Sequence, residues 1–126
     1  VGSEQVLDVN NHFAQVLSLP VVQNTACLRF IDPYGNTVFN QPQIPLLISE
    51  LEDLRNHVND TTLRGQAIYR LEQAKRADWS PSVLKELESA VDRVDSRSVL
   101  VHLEEVLKLA REVRGKVHMY LRFHGD

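Results

Sequence analysis

The sequence predicts an α+β domain in which a small antiparallel sheet packs on about four helices. Three observations predict it. From residue 41 to residue 114, apolar side chains recur at steps of three and four, the spacing of helix faces. Over Val117 to His124 (VHMYLRFH) the period changes to two, as in a half-buried strand. Ahead of the first long helix stands a strand-and-turn stretch, Ala26 to Asn40 (ACLRFIDPYGNTVFN). Strands at the two ends and helices between them argue for segregated α+β rather than alternating α/β organisation.

Length and composition fit one domain over residues 1–126. Hydrophobic content is 43% and charged content 25%, ordinary for a folded chain. The net charge of −3 gives no broad electrostatic reason to bind nucleic acid or an anionic membrane, and neither partner is expected. No apolar run reaches the length of about 18 residues that spanning a bilayer requires. One Cys excludes an internal disulfide and suits a reducing compartment. No signal peptide is visible, so a cytoplasmic location is expected. The opening Val-Gly-Ser reads as a trimmed end or tag remnant, and residues 1–4 as disordered.

In chain order, Gln5 to Val9 predicts a strand. Phe13 to Leu19 reads either as a strand or as a helical turn, with Pro20 disfavouring helix at Leu19. Pro20 to Thr25 reads as a polar connection. Cys27 to Ile31 predicts a strand ending at Asp32-Pro33, where Asp-Pro-Tyr-Gly forms a turn. Thr37 to Phe39 then runs back against Cys27 to Ile31 as a hairpin. Gln41 to Val58 predicts a helix, with Pro42 and Pro45 at its start and Ile44, Leu47, Leu51, Leu54 and Val58 on one stripe. Thr61 to Ala77 predicts a second helix with Leu63, Ala67, Leu71 and Ala74 as its face. Ser80-Pro81 opens a third, whose face is Val83, Leu84, Leu87, Ala90, Val91 and Val94. Val99 to Arg114 is the fourth, closed by Gly115. In the last strand Val117, Met119, Leu121 and Phe123 point one way and His118, Tyr120, Arg122 and His124 the other.

The chain carries no phosphate-binding Gly-rich loop, no Gly-x-Ser-x-Gly, no His-Glu-x-x-His and no paired Cys. No cofactor and no catalytic residue are expected, and the balance leans away from an enzyme. The five His residues are scattered, and His118 and His124 would lie about 20 Å apart along one strand, too far to share an ion. No metal site is expected. Cys27, in an apolar segment, reads as a core residue rather than a nucleophile. The polar residues Arg29, Asp32, Tyr34, Asn36, Tyr120, Arg122 and His124 could meet at one end of the sheet. An Arg, a carboxylate and a His together can bind an anion or move a proton. The bland alternative makes Asp32 and Asn36 turn residues and pairs an Arg with Asp32.

The segment CLRFIDPYGNTVFNQPQIPLLISELEDL, with the closing YLRFHGD, resembles a set of small bacterial proteins of unassigned function. That set joins an Arg-Phe-Ile/Val-Asp-Pro-Tyr-Gly-Asp/Asn-Thr-Val-Phe-Asn segment to a Leu-rich acidic helix and a terminal Tyr-Leu-Arg-Phe-x-Gly-Asp. Asn36 stands where Asp is frequent, and the middle helices lie outside the match. The resemblance implies a bacterial, intracellular source and no particular activity.

The leading expectation is a protein-binding module, of which an immunity-type or toxin-neutralising inhibitor is one form. Its surface would be the acidic side of the first long helix, Glu50, Glu52 and Asp53, together with the Asp32 to Asn36 turn. A small-ligand or enzyme site at Arg29, Asp32, Tyr34, Arg122 and His124 is the second expectation. The third is a structural domain that forms a homodimer through an exposed apolar patch near the second helix and Trp79.

Overall fold

The computed structural model describes residues 3–116 and 119–125. The element order is β1 (Ser3–Asp8), α1 (Asn11–Leu17), α2 (Pro20–Gln23), a 3₁₀ turn at Leu28–Phe30, β2 (Asn36–Phe39), α3 (Ile44–His57), α4 (Asp60–Arg76), α5 (Pro81–Asp92), α6 (Ser96–Val113) and β3 (Met119–His124). The fold is α+β: a three-stranded sheet and, among the described residues, six α-helices. None of these helices is long and apolar enough to cross a membrane.

The sheet order is β1-β3-β2, so the last strand is the middle one. β3 pairs with β2 in antiparallel register and with β1 in parallel register. The sheet is therefore mixed, a correction to the antiparallel expectation. A parallel pair needs a long crossover, and here everything from α1 to α6 lies between the two strands. For Ser3 and Glu4 β1 corrects the reading of residues 1–4 as disordered, since they are paired with Met119 and Tyr120, while Val1 and Gly2 lie outside the described residues. Of the expected last strand, Val117 and His118 lie outside the described residues.

Cys27 to Ile31 is not a strand, and the expected hairpin with Thr37 to Phe39 does not form. The cause is Glu50 on α3. Its carboxylate accepts the backbone N–H groups of Ala26 at 2.7 Å, Cys27 at 2.9 Å and Leu28 at 3.0 Å. Successive N–H groups of a strand point in opposite directions, so three in a row can converge on one carboxylate only where the chain curls. The curl continues as the 3₁₀ turn, and β2 pairs with β3 instead.

Helices exceed the expected four because the N-terminal region holds two short ones. Asn10 caps α1, its Oδ1 accepting the Phe13 N–H at 3.1 Å. Pro20 opens α2 at its first position, so the expected polar connection is in part helical. α3 and α4 fall inside or close to their expected ranges. α6 begins three residues earlier than expected, because Asp95 accepts the N–H groups of Arg97 and Ser98 and the Ser98 hydroxyl. Gly115 follows α6 with φ +76°, the left-handed position expected of it.

The core lies between α3, α6 and one face of the sheet. Leu47, Leu51 and Leu54 of α3 and Leu103, Val106, Leu107 and Ala110 of α6 are almost fully buried. The inward sheet residues are Leu7, Phe39, Leu121 and Phe123. Phe123 sits between two other rings, stacked on Phe13 at 5.5 Å and edge-on to Phe39 at 5.7 Å. α4 and α5 form an antiparallel hairpin that packs principally on itself. Leu63 joins the main core at its base.

Candidate functional site

The strand register builds one uncovered surface. Inward residues alternate with Val6 and Asp8 on β1, Asn36 and Val38 on β2, and Tyr120, Arg122 and His124 on β3. Val6, Arg122 and Val38 stand opposite one another in one row across the three strands. Asp8, His124 and Asn36 form the next row. The helices lie on the other face, so Val6 and Val38 remain 46% and 51% exposed and Tyr120 40%. β1 and β2 are the sheet's edges.

Of the polar residues expected at the sheet end, the fold brings Asn36, Tyr120, Arg122 and His124 onto this surface. His124 Nδ1 lies 2.8 Å from Asn36 Oδ1, a cross-strand hydrogen bond in which the imidazole N–H donates. Arg122 is half-buried between the two valines. Asp32, Tyr34 and Arg29 do not join them. Asp32 Oδ1 accepts the Tyr34 N–H at 2.8 Å, and the Asp32 N–H donates to Thr37 Oγ1 at 3.0 Å. This is an Asx turn, which leaves the Tyr34 ring 83% exposed at the tip. The Arg29 guanidinium lies 4.7 Å above the neighbouring Phe30 ring.

The acidic side of α3 is partly consumed by the fold. Glu50 holds the 26–28 amides, and Glu52 lies 3.6 Å from Arg111 of α6. Asp53 stays exposed. Glu50 and Asp53 line a depression of about 360 Å³ between α2 and α3. A wider, open depression of about 970 Å³ runs along the outer face of α6, past Leu100 and Val101. Neither depression is lined by Arg29, Asp32, Tyr34, Arg122 or His124.

Cys27 is buried, and burial followed by the nearby Glu50 carboxylate pushes its thiol above the ordinary range. A thiol held protonated in this way is a poor nucleophile. Among the described residues no group of three or more His, Cys, Asp or Glu is placed to hold a metal ion. His102 lies half-buried, edge-on to Phe13 with its Nδ1 3.4 Å from the Asn10 amide, and His57 Nδ1 meets the Asp53 carbonyl oxygen at 2.8 Å. His12 and His118 have no described side-chain position.

Sequence reasoning missed Val6, Asp8 and Val38 as parts of the site. The alternation in β2 was legible, but nothing local says that β1 and β2 flank β3. It also missed Gln41, whose Nε2 donates to the carbonyl oxygens of Val113 and Met119 at 2.8 and 3.0 Å while Oε1 accepts the Gly115 N–H at 2.9 Å. Comparison with protein-family models, with curated proteins and with solved structures returned no match.

Proposed function

We propose that the chain is a protein-binding module and that the uncovered sheet face is its contact surface. The observation that carries this reading is the Val6–Arg122–Val38 row, flanked by Tyr120, on a face that none of the described helices covers. Aromatic rings, arginine and apolar side chains on a flat patch are what protein interfaces gather at their centres. The neighbouring Asp8, His124 and Asn36 supply a polar border. The finer reading, an inhibitor that neutralises a toxin, is supported by size and net charge alone.

The test is affinity capture with the tagged chain from cells that naturally make it. The Val38→Glu/Tyr120→Glu variant changes exposed positions and should fold normally. It should lose the partner that the unaltered chain retains, while Val101→Lys, on the outer face of α6, should retain it. Equal recovery of every partner by all three proteins would refute the placement.

A further inference from the structure

The α4–α5 hairpin has more apolar surface than two helices can hide. On α5, Val83, Leu84, Leu87, Ala90 and Val91 make a stripe, yet no residue of that helix is buried. On α4, Ala67 and Leu71 are half-buried and Ile68 is 40% exposed. The rest of the molecule does not cover these residues, because the hairpin packs principally on itself. Isolated short helices are marginal in water, and an amphipathic face this wide is normally buried against further helices.

The uncovered residues share one side. In α4 the residues on the edge that follows the inward stripe, about 80–140° round the helix from Leu63, are Leu71, Arg64, Lys75 and Ile68. In α5 they are Leu84, Glu88 and Val91. When two right-handed helices pack antiparallel, these two edges fall on the same side of the hairpin. That side therefore has an apolar middle, basic residues along the α4 edge and an acidic residue along the α5 edge. The helices differ in charge as wholes. α4 carries Arg64, Arg70, Lys75 and Arg76 against Asp60 and Glu72, whereas α5 carries Glu86, Glu88 and Asp92 against Lys85.

We infer that the occupant of this side is a second copy of the chain, forming a two-fold four-helix bundle from two hairpins. A two-fold axis through the apolar middle and parallel to the helices lays α4 of each copy on α5 of the other. Arg64 and Lys75 then face Glu88 of the other copy, and the same pairing occurs twice. The surface is distinct from the sheet face and leaves that face open in the dimer.

Sedimentation equilibrium and two charge-reversed variants test the inference. The unaltered chain should sediment at twice its 14.4 kDa mass. Arg64→Glu/Lys75→Glu places acid against Glu88 of the other copy, and Glu88→Lys places base against Arg64 and Lys75. All three positions are exposed, so each variant should keep its helicity by circular dichroism. Each alone should weaken the dimer by at least about tenfold. Mixing the two should restore a dimer containing one of each, because both crossings are then complementary. A chain that stays at 14.4 kDa up to about 1 mM, or a dimer unmoved by either variant, would overturn the inference. So would variants that dimerise no better mixed than apart. Val38→Glu/Tyr120→Glu should leave the dimer intact, which separates this result from failure of the sheet-face reading.

Discussion

Glu50 and Gln41 show how much of this fold rests on single polar side chains reaching across the sequence. Glu50 fixes the conformation of a segment more than twenty residues before it, with two oxygens for three amides. Gln41 is half-buried and uses both ends of its amide to tie the end of α6 to the start of β3. Removing it takes the amide from the Gly115 N–H and the Met119 carbonyl oxygen in a partly buried place, while the Val113 carbonyl oxygen keeps the Lys116 N–H at 3.1 Å. Gln41→Ala should therefore lower stability by about 1–3 kcal/mol, measured by urea denaturation. An unchanged midpoint would mean that water replaces the amide without loss. Neither role was legible in the sequence, since a Glu on an acidic helix and a Gln beside a Pro carry no local sign of a distant partner. The Asx turn at Asp32 was legible, because its donor lies two residues away.

At the scale of elements, the helices differ in how they begin and end. α4 starts with a reciprocal cap: Asn59 Oδ1 accepts the Thr62 N–H and Thr62 Oγ1 accepts the Asn59 N–H. It ends with Asp78 at φ 59°, and the Trp79 and Asp78 N–H groups return to the carbonyls of Ala74 and Lys75. Two aspartates join the helix starts. Asp95 is held below the ordinary carboxylate range chiefly by Ser98, and Asp60 by Ser96. A carboxyl whose folded pKa lies below its unfolded value of about 3.8 adds stability above that value and loses it as pH falls through the folded value. The melting temperature should thus drop on acidification from about pH 5 to about pH 2. Asp60→Asn/Asp95→Asn, which keeps a capping oxygen but cannot titrate, should show a shallower drop over that window. Identical acid limbs would rule out these two caps as its source.

For the molecule as a whole, the decisive feature is that the last strand is central. β3 holds β1 on one side and β2 on the other, and the closing residues lock onto the Asp32–Gly35 turn. The Gly125 N–H donates to the Gly35 carbonyl oxygen at 2.7 Å, and a Cβ at Gly125 would lie 2.5 Å from the Pro33 backbone. Gly125→Ala should cost about 1–3 kcal/mol, since backbone rather than a flexible side chain blocks the space. Equilibrium denaturation would measure it, and a loss below that range would mean that the chain end moves aside easily. The same contact explains why the turn and the chain end, distant in sequence, form one corner of the structure.

By itself the sequence determined the α+β class, the four long helices, the Asp32 turn and the alternation of the last strand. Each depends on periodicity or on neighbours within a few residues, which are written in the order of the chain. Only the tertiary structure decided that the sheet is mixed, that Cys27 to Ile31 curls rather than extends, and that Asn36, Arg122 and His124 share a face with Val6 and Val38. Those outcomes rest on pairings between residues far apart in the chain, such as Glu50 with Cys27 and Val6 with Arg122. Strand partnership and long-range hydrogen bonds are settled by which distant groups the packed core brings within reach, and no local pattern encodes that choice.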